Sequence, residues 1–345
     1  MRILLSATQV PFIHGGADYH IHGVAQALRD RGHEVELMRL PFRFGPEKDI
    51  ERLMAYVETL DMAAPNGVEI DRAISLQFPA WGLKHPDHTV WVMHQHRACY
   101  ELYSPQQASP AQQRLRDAVQ AFDDRHLPSA TRLLANSRRV AERLERFNGL
   151  QAQPLYHPPH DAERFRCYED WGYIFYPSRL ESLKRQDLLI EAARYLQTPA
   201  RLVIAGEGGQ RQRYQALVEQ HGLSDRVRLI GRISEEEKLA WYANATAVFY
   251  GPFDEDYGYV TLEAMLAAKP VITCRDSGGP LEFVRDAETG WVVEPEPQAV
   301  AAAIDEVWRD RRRAAEMGRA GLEGYHRANI SWDQVVARLL GESGP

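Results

Sequence analysis

The chain has 345 residues, enough for two domains at ~100–200 residues each. Hydrophobic residues make up 44% and charged residues 26%, a globular balance that excludes a largely disordered chain. A formal net charge of -7 argues against a nucleic-acid partner, and three widely spaced cysteines, Cys99, Cys167 and Cys274, argue against a disulfide framework and for a cytoplasmic setting.

Short apolar runs alternate with helical periodicity along the whole chain. Ile3–Ala7 predicts a buried strand; the run turns polar at Ser6-Ala7-Thr8, too soon for a signal-peptide core. Ala17, Ile21, Val24 and Leu28 recur at helical spacing until Gly32, and Glu34–Leu40, Ala73–Phe78, Val90–His94 and Arg132–Ala135 read as further strands. Helices are expected over about 111–127 and from Ser137 to about Phe147. Tyr156-His157-Pro158-Pro159-His160 and the segment up to Trp171 read as a linker, with a boundary near residue 168. The alternation then restarts: strands at Tyr173–Pro177, Arg201–Ala205, Val227–Ile230, Ala247–Tyr250 and Val271–Cys274, and helices over Lys184–Leu196, from Ser234, over about 258–268 and from Pro297. Ser234-Glu235-Glu236-Glu237 is a capping box, and Pro297 suits a first helical position. The expected organisation is α/β: a Rossmann-like domain over 1–168, a second over 169–325, and a terminal helix over 326–345 packing back on the first. No run approaches the ~18 apolar residues of a spanning helix, which leaves only peripheral membrane contact open.

Doubly wound sheets bind ligands beyond the carboxyl ends of their strands. Arg179 and Lys184 fall in such a loop, Ser178-Arg179-Leu180-Glu181-Ser182-Leu183-Lys184. Two cations there suit a diphosphate; on spacing alone a solvated surface suits them somewhat better. Glu255 and Glu263 follow the strand at Ala247–Tyr250, and carboxylates accept well from sugar and ribose hydroxyls, although acids also favour helix starts for the macrodipole. Glycines stand at Gly15-Gly16, Gly206-Glu207-Gly208-Gly209 and Gly278-Gly279, where amides can approach an anion; no complete G-x-G-x-x-G is present, so a nicotinamide cofactor is not supported. Eleven of the thirteen histidines lie in the first 160 residues, among them His14, His20, His22, His94 and His96, with no metal-ligand spacing, so neither a metal nor another cofactor is expected. His94 ends a predicted strand where a ligand would sit. The run Arg309-Asp310-Arg311-Arg312-Arg313 reads as a solvated helix face.

Taken in order, Arg179…Lys184, Gly206-Glu207-Gly208, Gly231-Arg232, Glu255-x7-Glu263 with Ala264-Met265, Lys269-Pro270-Val271-Ile272 and Gly278-Gly279-Pro280 resemble the retaining glycosyltransferases of family 4 (glycosyl transferases group 1). The likeness is strongest over about 171–325; Gly15-Gly16-Ala17, Arg31-Gly32-His33-Glu34-Val35 and Asn136-Ser137 extend it thinly into the first half. It implies a GT-B fold, two Rossmann-like domains facing across a cleft, and transfer of a sugar from a nucleoside-diphosphate donor with retention of configuration and without a divalent metal. By the same resemblance Arg179 and Lys184 hold the diphosphate, Glu263 the ribose, and the backbone near Gly206 and Arg232 the nucleotide. Glu255, with the backbone of Asp256, Tyr257 and Gly258, holds the donor sugar, while His94 and Gly16 serve from the first domain. Glu255-Asp256-Tyr257-Gly258 departs from the family's commoner Glu-Gly-Phe-Gly, which alters the expected sugar pocket. Donor base, sugar and acceptor are not legible, and the acceptor can be a sugar, a lipid-linked molecule or a small molecule. The rival readings are a cytosolic nucleotide-sugar sensor without turnover and a nucleotide-sugar epimerase on the same fold.

Overall fold

Strands whose residues are apolar without alternation must be covered on both faces, the condition of a parallel sheet between helices. The structure, a computed structural model, describes residues 1–12 and 15–342, so His14 lies outside the described residues. It divides into two compact units, Met1–His157 with Ser331–Pro345, and Pro158–Ile330.

In the first unit, β1 (Arg2–Gln9), β2 (Glu34–Pro41), β3 (Arg72–Ser75), β4 (His88–Val92), β5 (Arg132–Ala135) and β6 (Gln153–Pro154) form one parallel sheet in the order β2-β1-β3-β4-β5-β6. Helices α1 (Gly16–Asp30), α2 (Glu47–Val57), α3 (Pro110–His126) and α4 (Arg138–Asn148) connect and cover it. The strand order reverses between β1 and β3, which makes the carboxyl ends of those strands the unit's natural ligand site.

In the second unit, β7 (Tyr173–Pro177), β8 (Arg201–Ala205), β9 (Val227–Gly231), β10 (Ala247–Phe249), β11 (Val271–Cys274) and β12 (Gly290–Val293) pair in parallel as β12-β11-β10-β7-β8-β9. The switch point of this doubly wound order lies between β7 and β10. Its helices are α5 (Gln186–Ala192), α6 (Arg211–Gln220), α7 (Glu235–Asn244), α8 (Tyr259–Leu266), α9 (Pro297–Arg309) and α10 (Arg311–Arg327). The capping box at Ser234 forms in both directions, Glu237 N–H to Ser234 Oγ at 3.2 Å and Ser234 N–H to Glu237 Oε2 at 2.7 Å, and α9 opens on Pro297 as expected.

Several expectations need correction. The helix expected from Lys184 begins only at Gln186, because Arg185 takes a left-handed conformation (φ 52) that ends the short 3-10 turn Ser182–Lys184. The arginine run is not one helix face: Asp310 (φ -127, ψ 72) separates α9 from α10 and accepts from Arg313 N–H, while Arg311 lies over the Trp308 ring at 3.9 Å. The chain enters the second unit at Pro158, ahead of the boundary near 168. The stretch before residue 168 is not a free linker, since Phe165 is buried in the second core, and Tyr168 and Trp171 donate backbone N–H groups to Ala243 and Asn244 carbonyls. The segment 326–345 is not one helix: α10 ends at Arg327, and a separate α11 (Trp332–Leu340) belongs to the first unit. Val335, Val336, Leu339 and Leu340 of α11 share a core with Ile21, Val24 and Leu28 of α1, and the Trp332 indole covers Gly23, where a Cβ would meet it at 2.2 Å.

Beside that junction His20 stacks on His157 with ring centroids 3.9 Å apart, and Trp91 meets His20 edge-on at 4.2 Å. Burial lowers His20 to about 3 and holds His157 well below its ordinary value; burial also takes His88 and His96 to about 4. The unfolded chain therefore binds more protons than the native one below its histidine pKa, and stability must fall as pH drops below about 6.5. Each such group contributes ~1.4 kcal/mol per pH unit over the interval. Urea melts are expected to show a lower midpoint at pH 5.5 than at 7.5, with a smaller difference in His20→Gln. An unchanged pH dependence in that variant would contradict the buried, neutral His20.

Candidate active site

The loops beyond the second sheet are fastened to one another through their backbones. After β7, Ser178 N–H bonds the Ala205 carbonyl at 3.0 Å and Leu180 N–H that of Glu207 at 3.0 Å; Gln210 N–H returns to Leu180 O at 2.9 Å. This zipper leaves no room for side chains at two glycines. A Cβ on Gly206, whose φ is +136, would lie 2.0 Å from Ser178 O, and one on Gly208 would lie 2.4 Å from Leu180 O. On the other side of β7, the loop after β10 is held by Phe253 N–H to Leu183 O (2.7 Å), Asp254 N–H to Asp276 O (2.9 Å) and Glu255 N–H to Ser277 O (2.9 Å). Gly279 N–H closes the bridge on Glu255 O at 2.8 Å, and Gly278 (φ +70) faces the Glu255 carbonyl at 2.6 Å from where its Cβ would be.

Lys184 and Glu255 meet across this switch point: the Lys184 ammonium donates to Glu255 Oε2 and, at 3.3 Å, to the Tyr250 hydroxyl. Both side chains of the ion pair are only 18% exposed. Three N–H groups on the ammonium, two of them engaged, leave one for an incoming anion. Burial first, and then the neighbouring Glu255 charge, hold the Tyr250 phenol well above its ordinary pKa, so it remains a protonated donor. Arg179 is exposed, and among the described residues no acceptor lies within hydrogen-bond reach of its guanidinium; its backbone carbonyl accepts from Gln186 Nε2 at 2.9 Å. Arg232, just past β9, is exposed.

Glu263 belongs to a neighbouring cluster. It is buried on α8, where it accepts from the Tyr242 hydroxyl at 2.6 Å and Lys238 at 3.1 Å. Burial disfavours the Lys238 charge, but Glu263 and Glu235 outweigh it and raise the pKa. Gly258 (φ +86) starts α8, and Tyr257 is buried against Tyr259 and Phe283, so the departure at 255–258 sets a packed aromatic wall beside a partly exposed Asp256.

In the first unit His94 follows β4. Its Nδ1 donates to the Gln95 carbonyl at 2.8 Å, since a carbonyl oxygen only accepts. Gly16 is the first residue of α1 beyond β1, at that unit's switch point. The loop carrying His94 is anchored by a residue that no sequence motif marks: Asp123, fully buried on α3. It accepts from Tyr100 Oη (2.7 Å), Gln95 Nε2 (3.1 Å) and Trp81 Nε1 (2.9 Å). Burial pushes its carboxyl up to about 6 against the three donors. Tyr250 carries no motif signal either, because the sequence reads it only as the end of a strand. Among the described residues no three His, Cys, Asp or Glu side chains are grouped to hold a metal ion, and no helix is long and apolar enough to cross a membrane.

Residues 161–323 match the family described as glycosyl transferases group 1, nearly the whole of the second unit. The class follows: the fold is GT-B, and over nearly its whole length the second unit is similar to the group 1 glycosyltransferases. The chain is similar to the human alpha-1,3/1,6-mannosyltransferase ALG2, 36% identical over 128 residues (35% of this chain and 30% of that protein). It is also similar to a GDP-mannose-dependent alpha-(1-6)-phosphatidylinositol monomannoside mannosyltransferase of Mycobacterium tuberculosis, 36% identical over 174 residues (47% of this chain and 44% of that protein). The chain thus spans less than half of the length of these curated relatives. Among solved structures, sucrose-phosphate synthase from Thermosynechococcus elongatus superposes with a TM-score of 0.81 at 19% identity, over 99% of this chain and 97% of that one. Anabaena HepE in complex with UDP and glucose superposes at 0.74 and 20% identity, over 99% of each chain.

Because Gly206 combines a left-handed φ with a backbone carbonyl in the place of its Cβ, Gly206→Ala is expected to destabilise by ~2–4 kcal/mol. That lowers the melting transition of the second unit by about 5–15 °C. Gly209→Ala, with open space around it, serves as the control. Equal melting of the two variants in calorimetry would show that the zipper is not as tight as described.

Proposed function

We propose that the chain is a retaining hexosyltransferase that moves a sugar from a nucleoside-diphosphate donor to an acceptor hydroxyl. The observation that carries this reading is the half-buried Lys184–Glu255 pair at the β7/β10 switch point, with the exposed Arg179 guanidinium on the same loop as Lys184. In the reaction the acceptor oxygen bonds to the anomeric carbon as the bond from that carbon to the β-phosphate oxygen breaks. The leaving diphosphate takes the electron pair and the acceptor proton. Arg179 and Lys184 meet the negative charge as it develops, the most effective use of fixed cations. Glu255 accepts from sugar hydroxyls, Glu263 from the ribose, and Gly206 and Arg232 lie along the nucleotide. The amides of 256–258 line the sugar subsite. His94 and Gly16 are assigned to sugar and phosphate or acceptor by the family resemblance, each at the carboxyl end of a first-unit strand. Because the two cations neutralise the diphosphate, turnover is expected to survive chelation.

The donor is supported by what similar proteins are named for or bind: GDP-mannose in the mycobacterial relative, UDP and glucose in HepE. Each charge-assisted phosphate contact is worth ~1.5–3 kcal/mol, so Lys184→Ala and Arg179→Ala are each expected to lower turnover about 10–100-fold. The exposed Arg179 is lost with little change in melting temperature, whereas loss of Lys184 leaves Glu255 unpaired and lowers it. Thermal shifts against nucleoside diphosphates and their hexose conjugates provide the companion measurement, since a ligand of the native state raises the midpoint by mass action. A shift with one base, weakened in both variants, fixes the donor. Full activity of both variants, or no shift with any base, would overturn the assignment.

A further inference from the structure

Lys184 is followed by a residue whose backbone is strained and whose side chain reaches two other loops. Arg185 stands at φ 52, ψ 44, a region that disfavours any residue with a Cβ and that glycine enters freely. A long cation at such a position needs compensation from the rest of the fold. Its guanidinium supplies it: Nη1 and Nη2 grip both oxygens of Asp276 at 2.8 and 2.7 Å, Nε donates to the Gly251 carbonyl at 2.8 Å, and Nη2 donates to the Pro252 carbonyl at 2.9 Å. The side chain is 18% exposed. One planar fork thus joins the loop after β7, the loop after β10 and the loop after β11. A lysine, with a single nitrogen and no planar fork, cannot reproduce this set.

The three tied segments carry the proposed chemistry. Lys184 is the preceding residue, Glu255 shares its loop with Gly251 and Pro252, and Asp276 leads into Ser277, whose carbonyl holds the Glu255 amide. We infer that Arg185 is a positioning residue: it sets the register of the Lys184 ammonium against the Glu255 carboxylate without touching the reacting atoms. The inference rests on the transferase reading for its kinetic consequence, but the clamp itself is a property of the folded chain. Lys184 and Arg185, adjacent in sequence, serve different partners: Glu255 for the first, Asp276 and two carbonyls for the second.

The test uses Arg185→Gly, which removes the fork and suits the backbone, and Arg185→Lys, which keeps charge. Amide hydrogen exchange on the full chain reads the clamp without any donor. Faster exchange in 251–256 and 275–279 in both variants, with the first unit unchanged, is expected; wild-type exchange in those segments overturns the inference. Kinetics with a donor found active on the wild type read the consequence. A 10–100-fold loss in kcat with donor KM changed less than about threefold is expected, because the binding groups remain while their alignment is lost. An unchanged kcat in folded Arg185→Gly overturns the positioning role. A wild type inactive with every donor, yet showing the exchange difference, would sink the transferase reading and leave the clamp intact.

Discussion

The Ser178 carbonyl occupies the place where residue 206 would carry a methyl, and much of the second unit's ligand-facing edge depends on that exclusion. Loops are ordinarily the soft parts of an α/β domain. Here four of them are laced together by main-chain hydrogen bonds at intervals that only glycine tolerates: at 206 and 208 on one side of β7, at 278 and 279 on the other. The side chains assigned to the proposed reaction are therefore mounted on something close to a continuation of the sheet. An ammonium and a carboxylate held at 18% exposure retain more of their mutual attraction than a solvated pair would, and their geometry is fixed before any ligand arrives.

Polarity is graded around that edge. The Arg179 guanidinium is open to solvent, Lys184 and Glu255 are half-buried and paired, and Glu263 is buried with Tyr242 and Lys238 as partners. Tyr250 stands between the last two arrangements, bonded to the first pair and close enough to feel the charge of Glu263. In the proposed reaction such a gradient suits a ligand whose most charged part is also the part that must leave.

Much of this is legible in the sequence because the signals are local. Strand runs such as Tyr173–Pro177 and Arg201–Ala205 coincide with the observed strands, and the capping box at Ser234 and the proline at 297 start helices where they should. The strongly polar α6 and α10 give no such signal, since Tyr214 and Val218, or Ala314 and Met317, leave only a sparse apolar stripe. Contacts made by residues far apart in the chain cannot be read at all. Nothing near Arg185 announces Asp276, nothing near Asp123 announces Trp81 and Tyr100, and periodicity alone gives Lys184 to a helix that the left-handed Arg185 excludes.

The first unit is built from two separated stretches, and the second is spliced between them. Its sheet is complete by residue 154, yet one face of that sheet's core includes Val335, Val336, Leu339 and Leu340, and the Trp332 ring that seals Gly23. On a ribosome these residues emerge last of the groups that need one another. The side of α1 that meets α11 waits for its cover until the whole second unit has been made. Assembly is thus ordered by connectivity: the unit that bears the Lys184–Glu255 pair closes on local contacts, and the other is locked only when α11 comes home.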